Sequence, residues 1–273
     1  MAVENEAKSA SEQAVLVERR GPVMIVTINR PATRNAINRD VWRGIGRALE
    51  ECEHDDDVRA FVLTGAGDKS FCSGVDLKAM ASGEGVMPED PVEAGWGFAG
   101  YVQHPISKPT IAAVNGIALG GGTEISLASD LVVAARTAQF GLPEVRRGRI
   151  AGAGGAFRLP QQLPRKVAME MLLTGAPITA EQALAWGLIN RVVEQEDVLD
   201  AAVALAEKIL EGAPIAVQAT KRIAVGIVDG HVPDDAAGWE ASRREGVLIL
   251  HSLDAHEGAL AFAEKRPPVW QGR

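Results

Sequence analysis

Two glutamates lie in unusually apolar surroundings in this sequence. Glu124 is the only ionisable residue between Lys108 and Asp130. Glu144 follows Pro143 in a segment that is similarly poor in charge. Burial of an ionised carboxylate without a partner costs several kcal/mol, so such a residue usually has a function or a neighbouring cation. Two carboxyls can divide general acid and general base roles, whereas the alternative for each is an ordinary acid in a first helical turn or one paired with an arginine.

Glycine-rich segments accompany both glutamates. Three successive glycines at 120–122 precede Glu124, and the segment 152–155 (GAGG) follows Glu144. Because glycine has no side chain, backbone N–H groups in such segments can face a ligand closely. Two N–H groups that converge on one oxygen stabilise a developing oxyanion, each by about 3 kcal/mol in the transition state. Turn formation explains any single glycine here, but explains three in succession at a predicted helix start less easily.

Other catalytic patterns are missing from the sequence. The motif G-x-G-x-x-G is absent around residues 65–67 and 152–155, and G-x-x-x-x-G-K-[ST] is not satisfied at 67–70. No G-x-S-x-G surrounds Ser73. The five histidines form no H-x-x-x-H pair that flanks a glutamate, so no metal site is expected. Cys72 is expected to be a small buried thiol rather than a nucleophile.

The composition fits a soluble globular protein. The 273 residues include 28 Lys and Arg against 36 Asp and Glu, which gives a net charge of −8, and 47% are hydrophobic. An acidic chain without a basic stripe predicts no nucleic-acid partner. Residues 1–13 contain no apolar core or cleavage site, and no apolar segment is long enough for a bilayer. We therefore expect a cytoplasmic protein without a membrane contact, and two cysteines exclude a disulfide framework.

The hydrophobic periodicity predicts an α/β portion followed by helices. Apolar runs between turn residues predict strands at 14–19, 23–29, 61–63, 110–114, 131–134 and 188–193. Asn38 is the predicted N-cap of a helix, and Thr179 with Gln182 forms a predicted capping box. The pattern from Glu196 onward predicts only helices, at 197–211, 214–228, 235–252 and 255–265.

Three regions follow from this pattern. Residues 1–13 are predicted to be disordered, residues 14–195 to form an α/β core, and residues 196–273 to form a helical C-terminal region. Residues 81–96 are rich in glycine, proline and acids, which predicts a mobile surface loop that could act as a lid.

Several segments together carry a family resemblance. They are Asn29-Arg30-Pro31 with Arg34-Asn35-Ala36, 71–78 (FCSGVDLK), 113–124 (AVNGIALGGGTE), 140–144 (FGLPE), 152–155 (GAGG), 173–175 (LTG), 185–190 (AWGLIN) and the terminal segment 257–266. In this order, from about residue 14 to 266, the chain resembles the crotonase, or enoyl-CoA hydratase/isomerase, superfamily.

The resemblance implies a fold, an assembly and a substrate class. The fold would be α/β, a ClpP/crotonase-like spiral of ββα units with a helical C-terminal trimerisation region. The chain would assemble as a homotrimer or as a hexamer made of two trimers. It would bind an acyl-CoA thioester in a bent form, and it would need no metal or redox cofactor because coenzyme A is part of the substrate.

The resemblance also implies roles for individual residues. Glu124 and Glu144 match the two catalytic acids of the hydratases, and the backbone N–H groups of Val75 and Gly121 match the oxyanion hole. The residues implied to contact the substrate or coenzyme A are Asn35, Ala36, Ser73, Asp76, Leu77, Lys78, Phe262 and Lys265. The last two resemble tail residues that reach the coenzyme A of a neighbouring subunit.

The resemblance implies reversible syn addition of water to a 2-trans-enoyl-CoA, in acyl-CoA and fatty acid metabolism. Arg146, Arg147, Arg149, Ala151 and Phe157 depart from the common hydratase pattern. With the segment 97–100 (GFAG), the arginines are similar to carnitinyl-CoA dehydratases, so dehydration of a polar or branched 3-hydroxyacyl-CoA is the first alternative. An enoyl-CoA isomerase is the second, and a non-catalytic acyl-CoA or RNA binder is the third.

Overall fold

The computed structural model describes residues 13–81 and 85–273. Apart from Gln13, the predicted disordered segment 1–13 lies outside the described residues. The strands in chain order are β1 (Val15–Arg20), β2 (Val23–Ile28), β3 (Ala60–Gly65), β4 (Ser70–Cys72), β5 (Thr110–Val114), β6 (Ile117–Leu119), β7 (Leu131–Ala135), β8 (Gln139–Gly141), β9 (Ile178–Thr179) and β10 (Arg191–Val193).

The helices connect and cover these strands. In chain order they are α1 (Arg39–His54), α2 (Leu77–Ala81), α3 (Pro91–Gly95), α4 (Gly121–Ala128), α5 (Gly155–Gln162), α6 (Arg165–Thr174), α7 (Ala180–Ala185), α8 (Val198–Leu210), α9 (Pro214–Val225), α10 (Ala236–Leu250) and α11 (Leu253–Glu264). The predicted N-cap is confirmed, because the Asn38 side chain accepts a hydrogen bond from Val41 N–H at the start of α1. The predicted capping box of Thr179 and Gln182 is also confirmed.

The larger sheet has the strand order β1-β2-β3-β5-β7-β10. The first two predicted strands are confirmed and form a hairpin, since β1 and β2 pair antiparallel with Val15 opposite Ile28. The remaining neighbours in this sheet are parallel. Every residue of β3 and β5 is buried. Continuous apolar strands of this kind are typical of a parallel sheet that is covered on both faces.

Helices α1 and α8 pack on this sheet. Residues Val41, Ile45 and Leu49 of α1 recur at helical spacing and are buried. Residues Val198, Ala202 and Ala206 do the same in α8, which packs against β3, β5 and β7. Helix α8 therefore contributes to the core, although it lies in the range predicted for the C-terminal region.

The smaller sheet has the strand order β4-β6-β8-β9. Strand β6 is parallel to both β4 and β8, so the carboxyl ends of these three strands meet at one edge. The turn before Val75 follows β4, α4 follows β6, and a 3₁₀ turn at Pro143–Arg147 follows β8. This order brings together three segments that are far apart in the sequence.

The predicted loop at 81–96 is wrong for residues 91–95, which form α3, while residues 82–84 lie outside the described part. Asp90 caps α3 by accepting hydrogen bonds from two N–H groups of its first turn, and Pro91 suits the first helical position. Glu93 is buried, with ion pairs to Arg43 (2.8 Å) and Arg47 (2.6 Å) of α1. These contacts fix α3 against α1, so this part of the segment is not a free lid.

Within the described ranges, no helix combines the length and the apolar character that crossing a bilayer requires.

Candidate active site

The two predicted oxyanion donors lie at the edge where β4 and β6 end. Gly121 is the first residue of α4, so its N–H has no acceptor within the helix. Val75 forms a parallel bridge with Ile37, and that bridge uses the carbonyl of Gly74 and the N–H of Asp76. Among the described residues, neither Val75 N–H nor Gly121 N–H donates to a backbone carbonyl.

The close packing of glycines brings these two donors together. A Cβ atom placed on Gly74 would lie 3.4 Å from the backbone nitrogen of Gly121. A Cβ atom on Gly122 would overlap the carbonyl oxygen of Cys72, the last residue of β4. Gly122 and Gly74 are therefore needed for the close contact between α4 and the segment at the end of β4. Two free amide donors at the N-terminus of a helix suit an oxygen that gains negative charge.

An aromatic ring closes one side of this edge. A Cβ atom on Gly121 would lie 2.5 Å from Cζ of Phe98, so the Phe98 ring rests directly on this glycine. The ring also packs edge-to-face on Trp42, with centroids 5.9 Å apart. Phe98 lies in a strained turn, since Ala99 has a φ of 62° between two glycines at positive φ. Such strain in a non-glycine residue is typical of functional segments whose surroundings hold them in place.

Glu124 lies on the buried side of α4. Its side chain is almost fully buried, and Oε1 accepts a hydrogen bond from Gly155 N–H at 2.9 Å. Burial raises the pKa of Glu124, and the negative charge of Glu144 raises it further. The N–H groups of Gly155 and Ala153 and the charge of Arg158 oppose this rise. A Glu124 carboxyl with a raised pKa can hold a proton at neutral pH.

Glu144 lies in the 3₁₀ turn after β8 and faces the glycines that open α4. A Cβ atom on Gly120 would lie 2.8 Å from Glu144 Oε1. Its Oε2 is buried and, among the described residues, has no hydrogen-bond partner. Burial raises the pKa of Glu144, although less than that of Glu124, and its own backbone N–H and the charge of Arg147 oppose the rise.

The arginines near Glu144 do not neutralise it in the described part of the chain. The Arg146 Nε group donates to the carbonyl of Thr174 at 2.6 Å. The Arg147 guanidinium lies over the Phe262 ring, 4.3 Å from its centroid. Neither arginine forms an ion pair with Glu144, so the simple pairing that the sequence left open is not found there. The charge of the half-buried Glu144 thus acts on the buried Glu124, and the two carboxyls titrate as a pair.

The predicted substrate contacts after β4 are placed beside the donors. Asp76 is buried and pairs with Arg30 at 2.8 Å, and its Oδ1 accepts from the N–H of Lys78 and Ala79 at the start of α2. Burial raises the pKa of Asp76, but these hydrogen bonds outweigh it and hold the pKa below its usual range. The Leu77 and Lys78 side chains are exposed next to this cap.

Other predicted contacts have mainly internal roles. The Asn35 side chain is fully buried, its Oδ1 accepts from Arg30 N–H, and its Nδ2 donates to Ala66 O and Ser70 O. The amide of Asn35 is thus not available to a ligand in this conformation, and it shapes the loop before α1 instead. Ala36 accepts from the Arg30 guanidinium. The half-buried Ser73 donates its N–H to Arg34 O.

The two predicted tail residues lie on α11. This helix packs on the Pro143–Arg147 turn of the same chain, where Phe262 meets Arg147. A Cβ atom on Gly258 would overlap the Arg147 carbonyl, so a glycine is needed for this contact. Lys265 ends α11 with a left-handed backbone and an exposed side chain. The role predicted for both residues at a neighbouring subunit stays a prediction.

Three residues at the site were not singled out from the sequence. Gly155 belongs to a glycine segment that the sequence did mark, and its N–H donates to Glu124. Phe98 lies in a segment whose resemblance was noted, but no pattern placed its ring on Gly121. Arg158 offered no signal at all, since its neighbours come from distant parts of the chain.

Comparison with known proteins identifies the family of this chain. A family model described as enoyl-CoA hydratase/isomerase matches residues 18–273. The chain is 42% identical over 267 residues to a carnitinyl-CoA dehydratase from Salmonella enteritidis, which covers 96% of this chain and 99% of that protein. A solved carnitinyl-CoA dehydratase from Mycobacterium avium is 62% identical with a TM-score of 0.91, covering 95% of this chain and 99% of the other.

A more distant structure gives the same assignment. An enoyl-CoA hydratase from Mycobacterium tuberculosis is 46% identical, with a TM-score of 0.74, and covers 96% of this chain and 100% of the other. The α/β fold and the crotonase resemblance predicted from the sequence are thus confirmed. This chain belongs to the enoyl-CoA hydratase/isomerase family.

Proposed function

We propose that this chain is a hydro-lyase that reversibly adds water to a 2-enoyl-CoA thioester and forms a 3-hydroxyacyl-CoA. The observation that carries the proposal is a pair of carboxyls, the buried Glu124 and the half-buried Glu144, beside the N–H groups of Val75 and Gly121, which donate to no backbone carbonyl among the described residues. The family and the relatives named as hydratases and dehydratases support this class of reaction.

The proposed reaction uses the two donors first. The thioester oxygen accepts hydrogen bonds from the N–H groups of Val75 and Gly121. When the water oxygen bonds to Cβ, the electron pair of the Cα=Cβ bond moves toward the thioester oxygen and forms an enolate. The two N–H groups stabilise this charge by about 3 kcal/mol each, because they are already oriented toward it.

The two carboxyls then account for the protons. The ionised member takes a proton from the attacking water, and the protonated member gives a proton to Cα, so the pair ends with the number of protons it began with. Burial and mutual repulsion favour such a pair with one proton. The buried and unpartnered Oε2 of Glu144 provides an acceptor for the water or for the 3-hydroxyl group.

Coenzyme A is the handle of the substrate in this proposal, and no other cofactor is required. We place its pantetheine arm along the segment of Ser73, Leu77 and Lys78, next to the oxyanion donors. Contacts far from the reacting carbons hold the acyl group in position, which lowers the entropic part of the barrier.

The second candidate function acts on an acyl group that carries a polar substituent. The carnitinyl-CoA dehydratases among the relatives favour it. Among the described residues neither glutamate forms an ion pair, and the buried Oε2 atom of Glu144 has no partner, which also favours a positively charged acyl group. Under this candidate the same site would run as a dehydratase on a 3-hydroxyacyl-CoA with a quaternary ammonium group.

We also propose that the chain assembles as a homotrimer or as a dimer of trimers in the cytoplasm. The C-terminal helices expose large apolar side chains, including Ile215 (80%), Ile223 (83%) and Leu248 (63%). Large apolar side chains that are exposed in one chain are suited to burial at a subunit interface. A molar mass in solution equal to that of one chain, measured by light scattering, would disprove the assembly.

The test of the activity is the absorbance of the conjugated thioester. Hydration of crotonyl-CoA should consume this absorbance, and Glu124→Gln and Glu144→Gln should each reduce kcat by about 10²–10⁴. Glu93→Gln is the matched control, because Glu93 is a buried glutamate that pairs with Arg43 and Arg47 of α1. Equal rates for wild type and both variants would refute the acid–base assignment. A panel with straight, branched and trimethylammonio acyl groups distinguishes the two candidates.

A further inference from the structure

Arg158 connects α5 with two distant parts of the chain, the segments that contain Val102 and Asp235. It lies on α5, the helix whose first residue, Gly155, donates to Glu124. Its Nη2 and Nε groups donate to Asp235 Oδ2 at 2.6 and 3.2 Å, and its Nη1 donates to Val102 O at 2.9 Å. The side chains of this ion pair are 12% and 14% exposed, so both charges are largely removed from water.

Aromatic rings hold the guanidinium from the sides. The Arg158 Cζ lies 5.5 Å from the Phe157 ring centroid and 5.1 Å from that of Trp239 on α10. The two rings meet edge-to-face at 4.9 Å. A Cβ atom on Gly154 would lie 3.1 Å from Trp239 and 3.3 Å from Arg158 Nη1. The turn that opens α5 is thus fixed by the C-terminal helices through this cluster.

The same guanidinium acts electrostatically on the site. It lowers the pKa of Glu124, against burial and against the charge of Glu144. The Cys72 thiol is also buried near Glu124, and the negative charge of Glu124 raises the pKa of that thiol. Glu144, Arg158 and Cys72 are thus three titratable or charged side chains that interact electrostatically with Glu124. Arg158 is the cation among them.

We propose that Arg158 is a positioning residue for the acid–base pair: Asp235 and Trp239 hold its guanidinium, and it fixes the N-terminus of α5 against Glu124 while offsetting the charge of that carboxyl. The proposal rests on the proposed function only for its kinetic readout. It follows that the packing of α10 controls how readily Glu124 ionises, although Asp235 and Trp239 touch neither glutamate.

The key experiment titrates Glu124 directly. In the Glu144→Gln background, infrared spectra of protein with ¹³C-labelled glutamate would be recorded across pH, with Arg158 present and with Arg158→Met. The titration midpoint assigned to the buried Glu124 should rise by at least about half a pH unit when the guanidinium is lost. Arg158→Lys keeps the charge but not the fork of donors, so it should restore most of the midpoint.

Kinetics provide the second readout. In the Glu144 wild-type background, Arg158→Met should reduce kcat at least about tenfold, with a smaller effect on KM, and should move the pH–rate profile to higher pH. Lys221→Met is the matched control, because Lys221 on α9 forms a comparable ion pair with Asp130 at 2.6 Å. It should leave the pH–rate profile of wild type unchanged.

If Arg158→Met does not fold, Asp235→Asn provides the test. This variant keeps the Arg158 guanidinium and removes the carboxylate that pairs with it. It should give a smaller midpoint shift in the same direction and lower kcat. An unchanged Glu124 midpoint in every folded variant would overturn the proposal, whether or not the chain hydrates any thioester. A shifted midpoint in a chain without hydro-lyase activity would support the role of Arg158 and refute the proposed function.

Discussion

Substitution of Gly121 by alanine should disable the proposed oxyanion hole through a single steric contact. Gly121 has an ordinary helical backbone rather than a positive φ, so alanine imposes no backbone strain there. The new methyl carbon, however, would lie 2.5 Å from Cζ and 3.1 Å from Cδ1 of Phe98. Carbon atoms prefer a separation of about 3.5–4.0 Å, so one side must retreat by about 1 Å.

The ring has little freedom to retreat. Phe98 packs edge-to-face on Trp42, and the turn that carries it is held at the positive φ of Ala99. The Gly121 N–H is therefore expected to move instead. A displacement of this size costs about 10² in rate, and the loss of one oxyanion donor costs about 10²–10³ in kcat, or about 2.7–4 kcal/mol.

A double-mutant cycle isolates this contact. Gly121→Ala, Phe98→Ala and the double variant would be compared by the initial rate of loss of thioester absorbance, with circular dichroism to confirm folding. Phe98→Ala removes the obstacle, so the double variant should recover at least about tenfold in kcat over Gly121→Ala alone, a coupling of about 1.4 kcal/mol. Gly246→Ala is the control, since nothing lies within 4 Å of its new Cβ atom.

The reasoning would be refuted by either of two results. Wild-type kcat in Gly121→Ala would mean that the N–H of this residue is not an oxyanion donor or that the ring yields freely. A double variant no faster than Gly121→Ala would mean that the loss arises from something other than the Phe98 contact.

Three further predictions concern stability. The pKa values of Glu124 and Glu144 are raised in the folded state, so ionisation of these carboxyls lowers the stability of the protein as the pH rises. Glu124→Gln should therefore stabilise the protein against urea at pH 8 and have little effect near pH 4. An equal effect at both pH values would contradict this prediction. Asn35→Ala should lower the free energy of unfolding by about 2–4 kcal/mol in urea titrations, because buried backbone groups lose their partners; an unchanged midpoint would count against it. Glu93→Ala should speed amide exchange in residues 91–95 while α1 stays protected, whereas unchanged exchange would show that the ion pairs do not hold α3.

Local features of the sequence were sufficient for most of the secondary structure. The Asn38 N-cap and the Thr179–Gln182 capping box involve neighbours within one helical turn, so their chemistry is visible in the chain itself. The strands β2, β3 and β5 are visible in the sequence as well, because each is a run of mostly apolar residues. The segment 91–95 was misjudged because its stability comes from Glu93 and two arginines about 50 residues earlier, which no local pattern reports.

The sequence by itself also identified the two glutamates, because burial of a carboxylate among apolar neighbours costs free energy and therefore indicates a function or a partner. It did not determine what surrounds them. Val75, Gly121 and Glu144 meet because β4, β6 and β8 are adjacent parallel strands that end at one edge. That adjacency is a property of strand order and not of any single segment.

The same holds for the residues that tune the pair. Arg158 and Asp235 are 77 positions apart; Arg158 is an ordinary charged residue of α5, and Asp235 directly precedes α10. Only the folded chain joins Arg158 of α5 to Asp235 and places the Phe98 ring on Gly121. The sequence determined which groups could do chemistry, since local polarity and backbone freedom are written in neighbouring residues. The tertiary structure decided their distances and their charge environment, since both depend on contacts between residues far apart in the chain.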